Sequence, residues 1–586
     1  MTEKLFTSPN MCSIPFLGHT DSTRLQMAAK QLTQAITHPD CEIPMTIGSN
    51  YRHLTYNCNH FRLTAQDNGE VIYKNNNIMV LIYYNKHSTS KHETEVYDIS
   101  PIQQCSSLYS TRLTYCVEEG RFNKGDILYE YDSFKNGLPT YGYNLWTAYL
   151  PFFSYNHEDA IVISESAAER CKGTKTETVL IPIYTYSLFK HIYPDSKYRF
   201  IPERGQKIND TTICVSCVAK NSNTTDPADY LKQMCITDFS TMVNNEHQFS
   251  YRPIPSRIQG AKIHDIRIHQ HVNKGPIDAS LSNIIKRMYE DYQLYCLDIY
   301  QELMDITSKE EAVKTIGKYY INTKTLSKTH FDLSNLLYVL EVTVEKEYSV
   351  SIGDKLANRY ANKGVVSKII PDDLRPKTYI TNHPIDCMVL PISVLSRMNF
   401  GQVPECIISK MVYKANLDIK QHPSKTEEVL DKLYKITKKM NNDQYAIEID
   451  ELKYNMIRTP GLRQQFLDSV DKYGLYYEAP NFAYFDQNEV TKEIEQQFNI
   501  PINEAIVMKK ELLETIREDM QEPELPLPNT DTIILKNIFT GPIYMLKLKQ
   551  DSASRVTCRD FGTYKAMIMV LHTVMYVENS VNSGEA

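Results

Sequence analysis

The chain has 586 residues, 42% hydrophobic and 23% charged, with a formal net charge of -7. That length suggests roughly four domains with real cores. The acidic total argues against a free, nonspecific nucleic-acid binder, which is basic overall, but it leaves room for an enzyme with a local phosphate channel.

The 41 tyrosines against one tryptophan, with abundant Asn, Ile and Lys, fit the product of an AT-rich genome. The 13 cysteines lack framework spacing and read as reduced thiols of a cytosol. Met1 to Phe16 holds no apolar core before a cleavage site, so no signal peptide is expected. The longest apolar run, near Ala566 to Val577, is broken by His572 and Thr573 and is too short to span a bilayer. No membrane partner is expected.

In chain order, a polar helix is predicted from Asp21 to Ile36, with Asp21 or Ser22 as its cap. Residues 101–175 read as strands and turns, marked by Lys124-Gly125-Asp126 and Asn136-Gly137. Residues 176–270 are β-rich. A long helix follows from Leu281 to Ile306, with Ile285, Met288, Tyr292, Tyr295, Ile299, Leu303 and Ile306 on its apolar face. Strand patterns resume at Tyr338 to Val350. Residues 410–520 read as mostly helical, and Ser424 with Glu427 forms a candidate capping box. Pro523 to Pro528 is a stiff connector, and Tyr544 to Lys549 returns to strand. Strands and helices without βαβ alternation predict an α+β fold.

Four segments carry candidate chemistry. From Gly353 to Lys368 the cations are Lys355, Arg359, Lys363 and Lys368, against the single anion Asp354. Glycines let a backbone approach a phosphate and lysines supply point charges, so this segment suits a polyanion. A solvated β-hairpin with ordinary surface lysines is the competing account. In Tyr155-Asn156-His157-Glu158-Asp159, two carboxylates precede an apolar strand and could support a metal shell. A simple turn before a strand explains them too. Arg397 lies among apolar positions in Pro391 to Gln402, where an unpaired charge is costly. It therefore meets an anion, either a ligand or an internal carboxylate. In Phe16 to Ile36, one helix would carry Arg24 and Gln34. The Cys214-Val215-Ser216-Cys217 pair has no second CxxC at zinc-ribbon distance, and Cys235 and His247 would complete a site only with irregular spacing. No zinc is expected.

Taken together, these segments resemble the β subunit of cellular multisubunit DNA-directed RNA polymerases, in the family's order. Gly353-Asp354-Lys355 through Lys363-Gly364-Val365-Val366-Ser367-Lys368-Ile369 resembles its GDK…GRHGNKGVVSKI signature. Tyr155 to Ile161 is similar to GYNxEDA, with Gly125 to Leu128 and Gly142-Tyr143-Asn144 upstream in the same block. Ser396 to Gln402 resembles SRMNIGQ, Phe16 to Arg24 resembles the fork segment FLEHxDANRALM, and Gly541 to Leu548 is similar to the block before the clamp-linked C-terminus.

The resemblance implies a double-psi β-barrel interrupted by a flap. Residues 1–100 would be fork-like and external, 101–175 and 335–410 the two barrel halves, 176–334 flap-like, 411–530 helical and 531–586 clamp-linked. It implies that Lys355 and Lys363 hold the phosphate at the RNA 3′ end and that Arg24 and Arg397 neutralise the incoming triphosphate. Gln34 would touch the RNA of the hybrid. Asp159, and less directly Glu158, would face a second, nucleotide-borne Mg²⁺. The primary Mg²⁺ would sit on a β′ piece, because this chain has no NADFDGD-type triad.

Departures from the family are Tyr360 for a histidine, Ala361 for a glycine and Gln550 for the histidine of KLxH. The lobe and protrusion and the GQRFGEMEVWALEAYGA segment have no counterpart. A β subunit divided in this way resembles the polymerases of giant (jumbo) bacteriophages, the non-virion enzyme in particular. The expected partners are then an N-terminal β piece, N- and C-terminal β′ pieces, a promoter-specificity subunit, template DNA, RNA and NTPs, in the cytoplasm of an infected bacterium. A noncatalytic, polymerase-derived scaffold is the alternative.

Overall fold

The computed structural model describes residues 8–48, 61–75, 77–84, 94–100, 102–103, 109–184, 188–189, 195–198, 201–207, 217–220, 249–251, 260–270, 279–319, 336–480, 482, 484–521, 527 and 529–552. Cys214, Cys235, His247 and most of the Pro523 to Pro528 connector lie outside them. Among the described residues no helix is long and apolar enough to cross a membrane.

Helix α1 (Ser22–Leu32) is capped by Asp21, whose carboxylate accepts from the Thr23 and Arg24 amides at 3.0 and 3.3 Å. The centre of the fold is built from β1 (Tyr143–Tyr149), β2 (Ala160–Ser164), helix α2 (Glu165–Arg170), β3 (Gly173–Tyr184), β4 (Lys262–Gln270), helices α3 (Ala279–Ile306) and α4 (Lys309–Ile316), and β5 (Leu336–Tyr348). Then come β6 (Lys355–Asn358), β7 (Lys363–Ile370), β8 (Cys387–Val389) and helices α5 (Ile392–Arg397), α6 (Gln402–Gln421), α7 (Thr426–Lys439), α8 (Asp443–Arg458), α9 (Pro460–Tyr473) and α10 (Gln487–Phe498). The last elements are β9 (Asn503–Lys509), α11 (Lys510–Met520) and β10 (Thr532–Lys547).

An eight-stranded sheet contains a closed ring, β1-β8-β2-β7-β6-β10, because β10 also pairs back onto β1. The pairs β1/β8 and β2/β7 are parallel and the other ring pairs antiparallel. This mixture bears out an α+β class. Two-residue alternation builds the ring. Tyr143, Leu145 and Tyr149 share one buried cluster with Ile161, Ile163, Leu356, Val366, Ile543 and Met545. The intervening Trp146, Ala148 and Val162 face a second layer formed by Ile506, Met508, Leu512 and Ile516 of β9 and α11. Helices α6 to α10 pack as a separate bundle around Ile408, Met411, Leu433 and Ile494. Strands β3, β5 and β4 form a three-stranded sheet whose Ile181, Leu340 and Val342 pack on α3.

Several expectations need correction. Helix α1 stops at Leu32, because Ala35 and Ile36 pair with Leu548 and Lys547. Gln34 is therefore beyond the helix, not on it. On α3 the buried face runs Tyr292, Cys296, Ile299, Leu303, while Tyr295 is 43% exposed, since a 3.6-residue period favours position 296. Ser424 sits in a 3-10 turn before α7 and caps nothing; α7 starts at Thr426. Residues 411–530 also hold β9, which adds to the large sheet.

Burial pushes the His383 imidazole, stacked on Trp146 at 3.8 Å, below its ordinary value near 6.5. Between the lowered value and 6.5 the unfolded chain binds the extra proton, so His383 contributes stability that is full above about pH 6.5 and lost as pH falls through that window. The wild-type chain should therefore lose more unfolding free energy than His383→Gln between about pH 7.5 and 5.5 in urea titrations. Equal losses would contradict the assignment.

Candidate functional site

The lysine segment is a hairpin, with β6 and β7 paired antiparallel and Ala357 opposite Lys363. It is not a solvated one. Asn358, Arg359, Tyr360, Ala361 and Asn362 are all buried at its turn. The Asn358 carboxamide oxygen accepts from the Tyr360 and Asn362 amides at 2.9 and 3.1 Å, which shapes the turn. Ala361 takes φ +60°, in the left-handed region, at the position where the resembled motif has glycine. The Arg359 guanidinium meets Glu405 at 2.9 Å and donates to the Thr46 and Ser13 carbonyls at 2.7 and 3.3 Å. Burial alone would lower its pKa; the Glu405 carboxylate more than offsets this and holds it raised. Burial, reinforced by Glu405, likewise pushes the Tyr360 hydroxyl well above its ordinary value.

The turn between α5 and α6 locks onto this hairpin. Asn399 donates to the Tyr360 carbonyl at 3.0 Å. The Gln402 side-chain oxygen accepts from Asn358 and Tyr149, each at 2.9 Å, and from Asn362 at 3.3 Å. Its amide donates to Asn399. The segment before α1 docks on the same turn: the Asp21 amide donates to the Met398 carbonyl at 3.1 Å and the Gly401 amide to Thr20 Oγ1 at 3.2 Å. A Cβ on Gly401 would fall 2.6 Å from the Tyr360 ring and 2.7 Å from Thr20 Oγ1, so only glycine fits.

Around this frame stand the residues singled out in the sequence. Glu158 and Asp159 are both exposed in the turn before β2, Glu158 with φ +50°. Both therefore lie on a turn that precedes the strand. The Val365 amide donates to the Asp159 carbonyl at 2.8 Å, and a Cβ on Gly364 would lie 2.4 Å from that oxygen. The glycine after Lys363 is what lets the carboxylate turn abut the hairpin. Arg397, at the end of α5, is ion-paired with Asp159, the two side chains 21% and 47% exposed. Its anion within the chain is thus an internal carboxylate. Lys363 is exposed and makes no ion pair with a described residue.

Val365 stands between Lys355 and Ala160 on the sheet, placing Lys355 two strand spacings, about 10 Å, from the carboxylate turn. The Lys355 amide donates to the Gln550 carbonyl at 3.2 Å and its carbonyl accepts from Leu548 at 3.0 Å. Gln550 in turn donates through its side chain to Gln34 Oε1 at 2.9 Å. Lys355, Gln34 and Gln550 thus form one cluster. Arg24 lies in the first turn of α1 with its guanidinium on the Met27 sulfur at 3.5 Å. Among the described residues no group of three or more His, Cys, Asp and Glu could hold a metal ion. A cleft of about 960 Å³ lies elsewhere, against β3, β4 and β5, and its Arg112, Arg204 and Arg267 are each paired with a carboxylate.

The sequence reading missed the buried frame. Asn358, Asn362, Asn399 and Gln402 all lie inside the quoted motifs, but their mutual contact joins segments some forty residues apart. Glu405 carried no signal except its place among buried apolar positions of α6.

The family model for RNA polymerase Rpb2, domain 6, matches residues 11–569, so the chain belongs to that family. Curated relatives are β subunits of DNA-directed RNA polymerase. The one from Euglena longa is 26% identical over 427 residues, covering 69% of this chain and 34% of the relative. Those from Porphyromonas cangingivalis and Lactococcus lactis subsp. lactis are 23% and 25% identical, each covering 67% of this chain and 37% and 28% of the relatives. The chain therefore spans about a third of the length of the curated relatives it matches.

Gln402→Leu should destabilise the chain by about 3 kcal/mol, because it leaves several buried polar groups without partners. The shift of the urea midpoint at unchanged slope measures it.

Proposed function

We propose that this chain is the C-terminal β portion of a multisubunit DNA-dependent RNA polymerase and contributes one wall of its active centre. The observation that carries the reading is the convergence on one buried frame of Lys355, Lys363, Arg397, Glu158, Asp159 and Gln34. The closed six-stranded ring supports a double-psi barrel, and the β3-β4-β5 sheet with α3 supports a flap inserted between its halves.

In this reading Lys355 and Lys363 hold the phosphate at the RNA 3′ end as point charges. The RNA 3′ hydroxyl attacks the α-phosphorus of the incoming NTP, forming a new P–O bond and releasing pyrophosphate. Arg24 and Arg397 neutralise the triphosphate, Arg397 by exchanging Asp159 for phosphate oxygens. Gln34 approaches the hybrid beside Lys355. Two exposed carboxylates in one turn suit indirect support of a nucleotide-borne Mg²⁺ rather than tight binding. The metal, when bound, neutralises charge on the transferring phosphates. The primary ion belongs on a β′ piece. We place the subunit in a split enzyme of giant-phage, non-virion type, acting in the infected cell with the remaining β and β′ pieces and a promoter-specificity subunit. The Tyr-rich, Trp-poor composition, which fits an AT-rich genome, is compatible with such a phage.

The test is extension of a primed RNA–DNA hybrid by the complex reconstituted with Lys355→Ala or Lys363→Ala. Each should slow nucleotide addition by about 10²-fold, the scale of losing one charge-stabilising group. Extension near the wild-type rate would sink the role. Template-dependent extension by the wild-type complex also separates the enzyme from a noncatalytic scaffold.

A further inference from the structure

We infer that Asp551, caged by Lys175 and Tyr109, is a positioning residue for Lys355; the inference rests on the function proposed above. Asp551 is buried and ion-paired with Lys175, itself buried at the start of β3. The Tyr109 hydroxyl donates to the Asp551 carboxylate at 2.9 Å. The Lys175 ammonium also lies over the Tyr348 ring of β5 at 4.2 Å. The ion pair therefore joins the segment just after β10 of the ring to β3 and β5 of the three-stranded sheet.

The neighbours of Asp551 grip the lysine. Gln550, just before it, accepts from the Lys355 amide and bonds Gln34. Ser552, just after it, donates through its amide and hydroxyl to Asp354 at 2.9 and 3.2 Å. Asp354 directly precedes Lys355. Residues 550 and 552 thus clasp 354 and 355, and the carboxylate between them anchors the clasp. A buried carboxylate is stable only when its partners are in place, and removing one partner leaves a charge that forces local rearrangement. Rearrangement here moves the backbone carbonyl to which Lys355 is tied. Small displacements of a group that holds a reacting end cost rate out of proportion to stability.

The experiment uses the reconstituted complex carrying Asp551→Asn, Lys175→Met, the double variant, and the milder Tyr109→Phe, each with Lys355 intact or as Lys355→Ala. Single-nucleotide extension gives kcat and KM for NTP, and urea unfolding of the chain reports stability. With Lys355 intact, Asp551→Asn should lower kcat about tenfold with KM within about twofold, and Tyr109→Phe should lower it about threefold. The double variant should be no slower than Asp551→Asn, because no lone buried charge remains. On Lys355→Ala, Asp551→Asn should cost nothing further. An equal loss in both backgrounds, or none in either while Lys355→Ala is slow, overturns this inference alone. Wild-type extension by Lys355→Ala overturns the functional reading and this inference with it.

Discussion

Arg359 and Glu405 form an ion pair from which water is wholly excluded. Removing two charges from water costs on the order of several kcal/mol per ion, and their attraction offsets this only when the remaining donors and acceptors are met. The surroundings meet most of that demand, leaving Arg359 Nε and Glu405 Oε2 without a hydrogen bond. The guanidinium needs the carbonyls of Ser13 and Thr46 and lies 5.1 Å from the Tyr544 ring, while Glu405 also accepts from the Tyr544 amide at 3.1 Å. The N-terminal segment, the lysine hairpin, α6 and β10 are therefore held at one point. None can shift without exposing a charge to an apolar interior.

Charges divide by depth around this point. Lys410 meets Glu504 at 2.5 Å and Lys547 stands 3.8 Å from Asp354, all four side chains nearly inaccessible. Burial lowers the Lys547 pKa, and the nearby Asp354 offsets only part of that. The buried cations are structural, each ringed by carbonyls or carboxylates. Lys363, at the surface of the same hairpin, is spared that role among the described residues. Lys363 faces solvent on the strand whose turn is fixed by Asn358, Asn362 and Gln402. A rigid polar frame beneath this cation would, in the proposed role, spare a bound phosphate the cost of ordering the lysine's support.

What could be read from the sequence followed local physics. A cap at Asp21 or Ser22, most of the apolar face of α3 and the strand character of Tyr544 to Lys549 each depend on neighbours close in the chain, and each is readable in its residues. The motif segments were legible as places of chemistry. What failed depended on distant partners. Gln34 left its helix because β10 captured Ala35 and Ile36, and Ser424 lost its capping role to a 3-10 turn. The pairing of Arg397 with Asp159 was an open alternative that periodicity could not decide, since the two residues come from different elements and are brought together through the β2/β8 pairing.

That pairing has an energetic meaning that differs from the Arg359–Glu405 pair. Its two side chains are partly exposed, so water screens their attraction and an ion pair of this kind is worth about 0–1 kcal/mol. A polyphosphate offers a guanidinium more charge and several acceptor oxygens in bidentate geometry. Under the function proposed above, Arg397 would exchange Asp159 for a triphosphate at small cost, leaving the carboxylate unpaired. Arg359 has no such freedom, because leaving Glu405 would strand two buried charges. Two neighbouring arginines thus stand in opposite settings: burial fixes Arg359 in the fold and leaves Arg397 partly open to solvent.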